Sequence, residues 1–280
     1  MERIENSLFI AAIVALGLSL LTAVFSMLAN RGTDNSQTGG NKVPFWSSEI
    51  PVNLLLITAF LLLAVSIIIR IVITGHGPFS NMYEFAVIFS WGMMGAAYYF
   101  QKRYHISAVR NITVLIAMLL LIFASTLSSR PAPLVPALQQ SVLLSVHVAS
   151  AMIAYAALTV GFAASLMYLI LSTRHNSDAA KLEIFDRISY HTVTIGFPFL
   201  TLTIILGAVW ADIAWGRYWG WDPKETASLV TWLVYAGYLH SRVIAHWRGR
   251  RSAILLITGF AAILFTFFGN YIFMGLHSYN

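Results

Sequence analysis

Read by the spacing of its apolar and polar positions, the chain is a succession of long hydrophobic runs. They fall at about 7–29, 52–74, 83–100, 111–128, 143–171, 191–211, 227–245 and 253–273. A helix needs about 20 apolar residues to cross a hydrocarbon core. The pattern therefore predicts an all-α, polytopic integral membrane protein of about eight transmembrane helices, forming a single membrane domain over residues 1–280. An even number of spans puts both termini on one side.

The short polar segments between the runs set the orientation. Alternate loops carrying Arg31 and Lys42, then Lys102, Arg103 and Arg110, then Arg174, Lys181 and Arg187, then Arg242, Arg248, Arg250 and Arg251 hold twelve of the 17 basic residues. The opposite side has Arg3, Arg70, Arg130, Arg217 and Lys224. Lys and Arg are retained in cytoplasmic loops, so both termini and the loop before span seven are predicted to face outward. Residues 30–50 are composed like a flexible linker, and residues 128–142 are stiffened by three prolines.

Composition narrows the class further. A chain 58% hydrophobic and 10% charged is no ordinary soluble domain, and its net charge of +6 follows topology rather than nucleic acid. There is no cysteine, which excludes a disulfide framework, a CxxC redox pair, thiolate metal ligation and thioether attachment of a cofactor to this chain. The first run carries no convincing cleavage site and reads as a retained span.

Candidate chemistry gathers in residues 210–226. Trp215, Trp219 and Trp221 fall within seven residues, with Gly216 and Gly220 between them. Flat indole faces beside bare backbone suit a large planar ligand; an interfacial aromatic belt is the plainer alternative. Asp222, Pro223 and Glu225 have the spacing of an N-cap, a first helical residue and its N3 partner, a capping box that starts the next helix. Asn81 and Glu84 repeat that box before span three, close to His76.

The histidines divide by depth. From His147 to Leu171 is about 36 Å of helix, more than the core, so His147 lies at or just above the outer surface. His240 is about 21 Å into span seven. An ionisable group at that depth is functional by default, or a neutral imidazole bonded to a neighbouring helix. His277 follows the last span on the outer side. His191, at the start of span six, suits a structural or charge role, and His105, His175 and His246 fall in cytoplasmic loops. No P-loop, Ser/His/Asp set or paired catalytic carboxylates occur at accessible positions.

The run Trp215-Gly-x-x-Trp219-x-Trp221-Asp-Pro-Lys-Glu-Thr226 resembles the signature of the WWD-domain haem-handling proteins of cytochrome c biogenesis (the CcmC/CcmF/CcsA family). Its Pro-Lys-Glu-Thr continuation, Tyr-Leu-His240-Ser-Arg242 and Gly-Leu-His277-Ser-Tyr are similar to the CcsA/ResC branch, system II. The likeness runs from about Gly75 to the C-terminus. It departs at Ala227, where another Trp is expected, and at Leu143, where an aromatic is usual.

That resemblance implies haem b held non-covalently, its iron ligated by histidine alone. His147 and His277 would be axial ligands of an outer haem, with Trp215, Trp219, Trp221, Gly216 and Gly220 as its platform. His240 would ligate a haem within the membrane, its second ligand supplied by a CcsB/ResB-like partner. The implied function is a subunit of a cytochrome c synthase (haem lyase) that presents haem to the CxxCH of apocytochrome c in a plasma (inner) membrane, or a thylakoid membrane for a plastid or cyanobacterial source. A haem exporter of the CcmC kind and a membrane b-type cytochrome are the alternatives. An electron carrier pairs its histidines inside the spans, whereas two of these three candidates lie outside.

Overall fold

The computed structural model describes residues 1–33, 49–131, 141–174 and 178–272. Among them it is wholly helical: α1 Glu2–Thr33, α2 Glu49–Thr74, α3 Met82–Tyr104, α4 Ser107–Ser125, α5 Ser141–Ser172, α6 Ala179–Trp215, α7 Pro223–Val243 and α8 Arg250–Ile272. Six are long and apolar enough to cross a membrane, so the chain is a polytopic membrane protein. The other two, α3 and α7, are more polar. The first carries Glu84, Lys102 and Arg103 in its end turns, and the second Glu225, His240 and Arg242.

Helix limits differ from the hydropathy reading where capping chemistry overrides apolarity. Span six, expected from 191, lies within a helix that begins twelve residues earlier. The Asp178 carboxylate accepts from the Ala180 and Lys181 N–H groups at 3.0 and 3.3 Å and nucleates α6 there. The added turns carry Lys181, Glu183, Asp186 and Arg187, which a search for apolar runs passes over. At 37 residues, α6 is roughly 55 Å long, well beyond a hydrocarbon core. His191 is therefore mid-helix and half-buried.

The chain divides into two compact units, residues 1–78 with 86–131, and residues 79–85 with 132–280. In the first, α1 lies along α2, and the Ser19 hydroxyl donates to the Val52 carbonyl at 2.9 Å. Buried Arg70 of α2 reaches Glu5 at 3.4 Å and the Ser129 carbonyl. Arg110 is fully buried and donates to Glu49 and to Asn53.

In the second unit, small residues bring α5 and α6 together. A methyl group on Gly196 would stand 2.8 Å from Leu158 Cγ and 3.2 Å from the Ala154 carbonyl, and one on Gly161 would strike the Thr192 hydroxyl. Close approach of this kind lets helices associate in lipid, where apolar surface alone gives no net drive. Hydroxyl pairs add to it: Ser165 with Ser189 at 2.9 Å, and Thr231 of α7 with Thr266 of α8 at 2.9 Å. Phe162 stacks on Phe260 at 4.1 Å, joining α5 to α8.

Candidate functional site

The site is built where α6 ends and α7 begins. Gly216 terminates α6 in the left-handed region (φ 71°), and its N–H donates to the Asp212 carbonyl at 2.8 Å. Seven residues later α7 starts on the expected capping box. Asp222 Oδ1 accepts from the Lys224 N–H at 2.9 Å, and Glu225 Oε2 accepts from the Asp222 N–H at 3.2 Å. The same Glu225 oxygen takes the Gly220 N–H at 2.7 Å, so one carboxylate ties the connection to the helix it starts. Residues 210–215 of the expected 210–226 stretch are helical, and the irregular part is 216–222.

Within this connection the indoles form two edge-to-face pairs. Trp219 meets Trp221 at 5.9 Å and 87°. Trp215 meets Trp210, itself buried, at 4.8 Å and 72°. Trp221 is 70% exposed and sits at φ 58°, an uncommon conformation for a bulky residue, one that costs about 1–3 kcal/mol. Gly220 does not face open space. Its missing side chain makes room for Arg217, whose Nε would lie 2.8 Å from a methyl group there. Ala227, where the resemblance leads one to expect Trp, is buried in α7.

His147 lies in the second turn of α5 with its ring against α6. Its Nδ1 is 2.9 Å from the Thr203 carbonyl oxygen. A carbonyl only accepts, so Nδ1 carries the hydrogen and the lone pair resides on Nε2. The Ser150 hydroxyl donates to the His147 carbonyl at 2.7 Å and lies 3.0 Å from the Thr203 hydroxyl. The ring fits because residue 207 is glycine: a methyl group there would stand 2.9 Å from His147 Cε1.

On the same helix, Leu144 and Val148 belong to a buried cluster with Phe79 and Trp210, against which Phe85, Leu143, Ala214 and Trp215 pack. Lys224 closes the group. Its ammonium is 5.5 Å from the Phe85 ring. Burial lowers the Lys224 pKa, and the Asp222 carboxylate pulls it back up. Before Phe85, Asn81 Oδ1 accepts from the Glu84 N–H at 3.0 Å, as the sequence suggests. The Glu84 carboxylate, however, returns to the Ser80 N–H and hydroxyl at 2.8 and 2.7 Å.

His240 is placed differently. It falls in the last turn of α7, about 25 Å along the helix from Pro223, and its side chain is exposed. Its neighbours turn inward. Tyr238 and Ser241 are buried, and the Arg242 guanidinium binds both Asp186 oxygens at 2.8 and 2.9 Å, while Asp186 Oδ1 also accepts from the Gly249 N–H at 3.0 Å. That anchor fixes the rotation of α7. It leaves Val230, Leu233, Gly237, His240 and Ile244 along one exposed line.

Among the described residues, the other histidines lie apart from these two places. His277 lies outside the described residues, as does His175. His76 is half-buried with Nδ1 2.8 Å from the Gly77 carbonyl. His105 and His246 are exposed at φ 54° and 52°. Among the described residues no three His, Cys, Asp or Glu side chains converge on a metal position.

The donor set at His147 fits the iron of a haem. A ring whose Nδ1–H is held by a backbone carbonyl is oriented and made more basic at Nε2, the usual outer support of a ligating imidazole. Sequence reasoning missed Thr203, Gly207 and Lys224. A glycine inside an apolar helix is the one signal that could have marked Gly207 as a point of close approach; the Thr203 contribution is backbone and leaves no mark in the sequence.

Residues 79–277 match the family model described as cytochrome C assembly protein. The chain is 37% identical over 236 residues to the cytochrome c biogenesis protein CcsA of Guillardia theta, covering 74% of this chain and 78% of that relative. It is 36% identical to CcsA of Prochlorococcus marinus (strain MIT 9312), over 82% of this chain and 84% of that one. Identity is 39% with CcsA of Chlamydomonas reinhardtii, over 79% and 65%.

Proposed function

The chain belongs to the cytochrome c assembly protein family, and we propose that within cytochrome c biogenesis it is the haem-handling subunit of a system II synthase. In this reading it brings haem b to the outer membrane face and presents it to the CxxCH of apocytochrome c. The observation that carries it is the His147 ring, held by the Thr203 carbonyl with Nε2 free to ligate, beside the tryptophan connection. A haem exporter and an electron-carrying cytochrome share parts of this chemistry, but neither is favoured by a specific contact.

Haem is the cargo. Its vinyl groups and the cysteine thiols of apocytochrome c form the thioether bonds. The residues of this chain bind, orient and release. His147 supplies one axial imidazole, and His277 supplies the other. Trp215 and Trp219, half-buried, shield the ring edges from water, while Trp221 stands exposed where an incoming CxxCH chain first meets the site. The histidine of that motif then takes over one axial position, which frees the product. His240 ligates haem at an earlier stage, with its second ligand on a CcsB/ResB-like partner; the support is its exposure on a face that no described residue covers.

Both termini and the 216–222 connection face outward in this reading, so reporter fusions after residue 280 and within 178–190 give opposite signals. Functionally, the chain, its partner and an apocytochrome c are expressed in a host lacking its own maturation system. Covalently attached haem on the cytochrome supports the proposal. Haem delivered to the outer face with no cytochrome attachment would turn it into the exporter reading.

A further inference from the structure

Glu225 does more than the cap of α7 requires. A capping box needs its N3 side chain to accept only the N-cap N–H, here that of Asp222 at 3.2 Å. The same Oε2 also accepts the Gly220 N–H, at the shorter distance of 2.7 Å. One oxygen therefore draws in the two amides on either side of Trp221. Amides that converge on an anion in this way form a nest, which places a residue in the left-handed region. Here that residue is Trp221, at φ 58°. Such a backbone suits glycine and is uncommon for a bulky side chain. Glycine at 221 would make both hydrogen bonds without the strain, yet the connection holds an indole there. That indole is 70% exposed and braced edge-on by Trp219 at 5.9 Å. Trp210 and Trp215 belong to the buried cluster or pack against it, and Trp221 is left for an incoming molecule. Strain kept in place for a side chain that packs so little points to a contact made outside the chain.

We infer that Glu225 is a positioning residue: its carboxylate holds Trp221 in the left-handed conformation that presents the indole to the CxxCH segment of apocytochrome c. This rests on the synthase reading of the site. Sulfur packs well against an aromatic ring, and a cation over its face; CxxCH brings two thiols and an imidazole. An indole fixed before the encounter loses little freedom on binding, which raises affinity without any added contact.

The test uses a CxxCH peptide with S-methylated cysteines, which keeps the sulfurs but forms no thioether bond to haem. Its affinity for the purified full-length chain, in complex with the CcsB/ResB-like partner, is read by fluorescence polarisation. Trp221→Ala should weaken binding about tenfold or more, the scale of an aromatic anchor. Glu225→Ala should weaken it to a similar degree, and Glu225→Gln less, since the amide oxygen still accepts. In a Trp221→Ala background, Glu225→Ala should add no further loss, because the carboxylate acts through the indole. Trp221→Gly, which keeps the turn and relieves the strain, should raise the thermal midpoint and still lose the peptide. Unchanged affinity in both Glu225 variants, or equal losses with and without the indole, would reduce the carboxylate to the α7 cap and overturn the inference, while the synthase reading would survive. A parent complex that takes no peptide at all would sink the synthase reading, and the inference with it.

Discussion

His147 and His240 belong to the same helical unit, yet the chain treats them in opposite ways. The His147 ring lies half-buried against α6, hydrogen-bonded to Thr203 and accommodated by Gly207. The His240 side chain leaves the bundle from the last turn of α7, while the Arg242–Asp186 pair holds the adjacent face inward. One imidazole is oriented before anything binds. The other has no orienting hydrogen bond within the described residues. At the depth the proposed reading gives it, an ionisable group is tolerated only when paired or wetted. In the proposed reading the first is a site the chain completes and the second a half-site it offers.

Removing His147 breaks that contrast most severely. His147→Ala should abolish holocytochrome c formation while the protein still accumulates, and external imidazole should restore part of the activity by filling the open coordination position. Normal maturation by this variant would reduce the tryptophan connection to an interfacial belt.

Gly207→Ala probes the same ring without touching it. The added methyl would press on His147 Cε1 and displace it from the Thr203 carbonyl. Loss of an orienting partner of a ligating imidazole costs about 10- to 100-fold in affinity, so haem titration should show weaker binding in a protein with unchanged helix content. Undiminished affinity would mean that the ring needs no help from α6.

Trp219→Ala is milder. Haem retention should fall by a few-fold, and imidazole should give no rescue because no iron ligand is lost. Mildest is Asp222→Ala, which removes the Lys224 N–H partner and the cap of α7. A lost cap costs about 1 kcal/mol, readable as a lower thermal midpoint with binding nearly intact. A large binding defect there would make Asp222 part of the site and not only a helix start.

Much of this architecture is legible in the sequence. Apolar runs mark the helices because lipid leaves the backbone no other partner, and Asp222-Pro-Lys-Glu225 announces the start of α7 through capping chemistry that is local in the chain. Hydropathy fails at both ends of α6. Its first turns are amphipathic and its last, through Trp215, are rich in indole, so neither looks like a membrane span. Asp178 and Gly216 were the cues to its true limits. The site is less legible. Histidine positions can be counted, but inward or outward rotation of α7 depends on Arg242 meeting Asp186, 56 residues away. The support of His147 rests on a carbonyl and on the absence of a side chain at 207.

The claim that one site is intrachain and the other shared is tested most directly by the visible spectrum of the purified chain, alone and with its CcsB/ResB-like partner, for the parent, His147→Ala and His240→Ala. The chain alone should carry ligated haem that disappears in His147→Ala and persists in His240→Ala. Adding the partner should bring a second component that His240→Ala removes. Haem in the isolated chain that depends on His240 and not on His147 would contradict the assignment of both histidines.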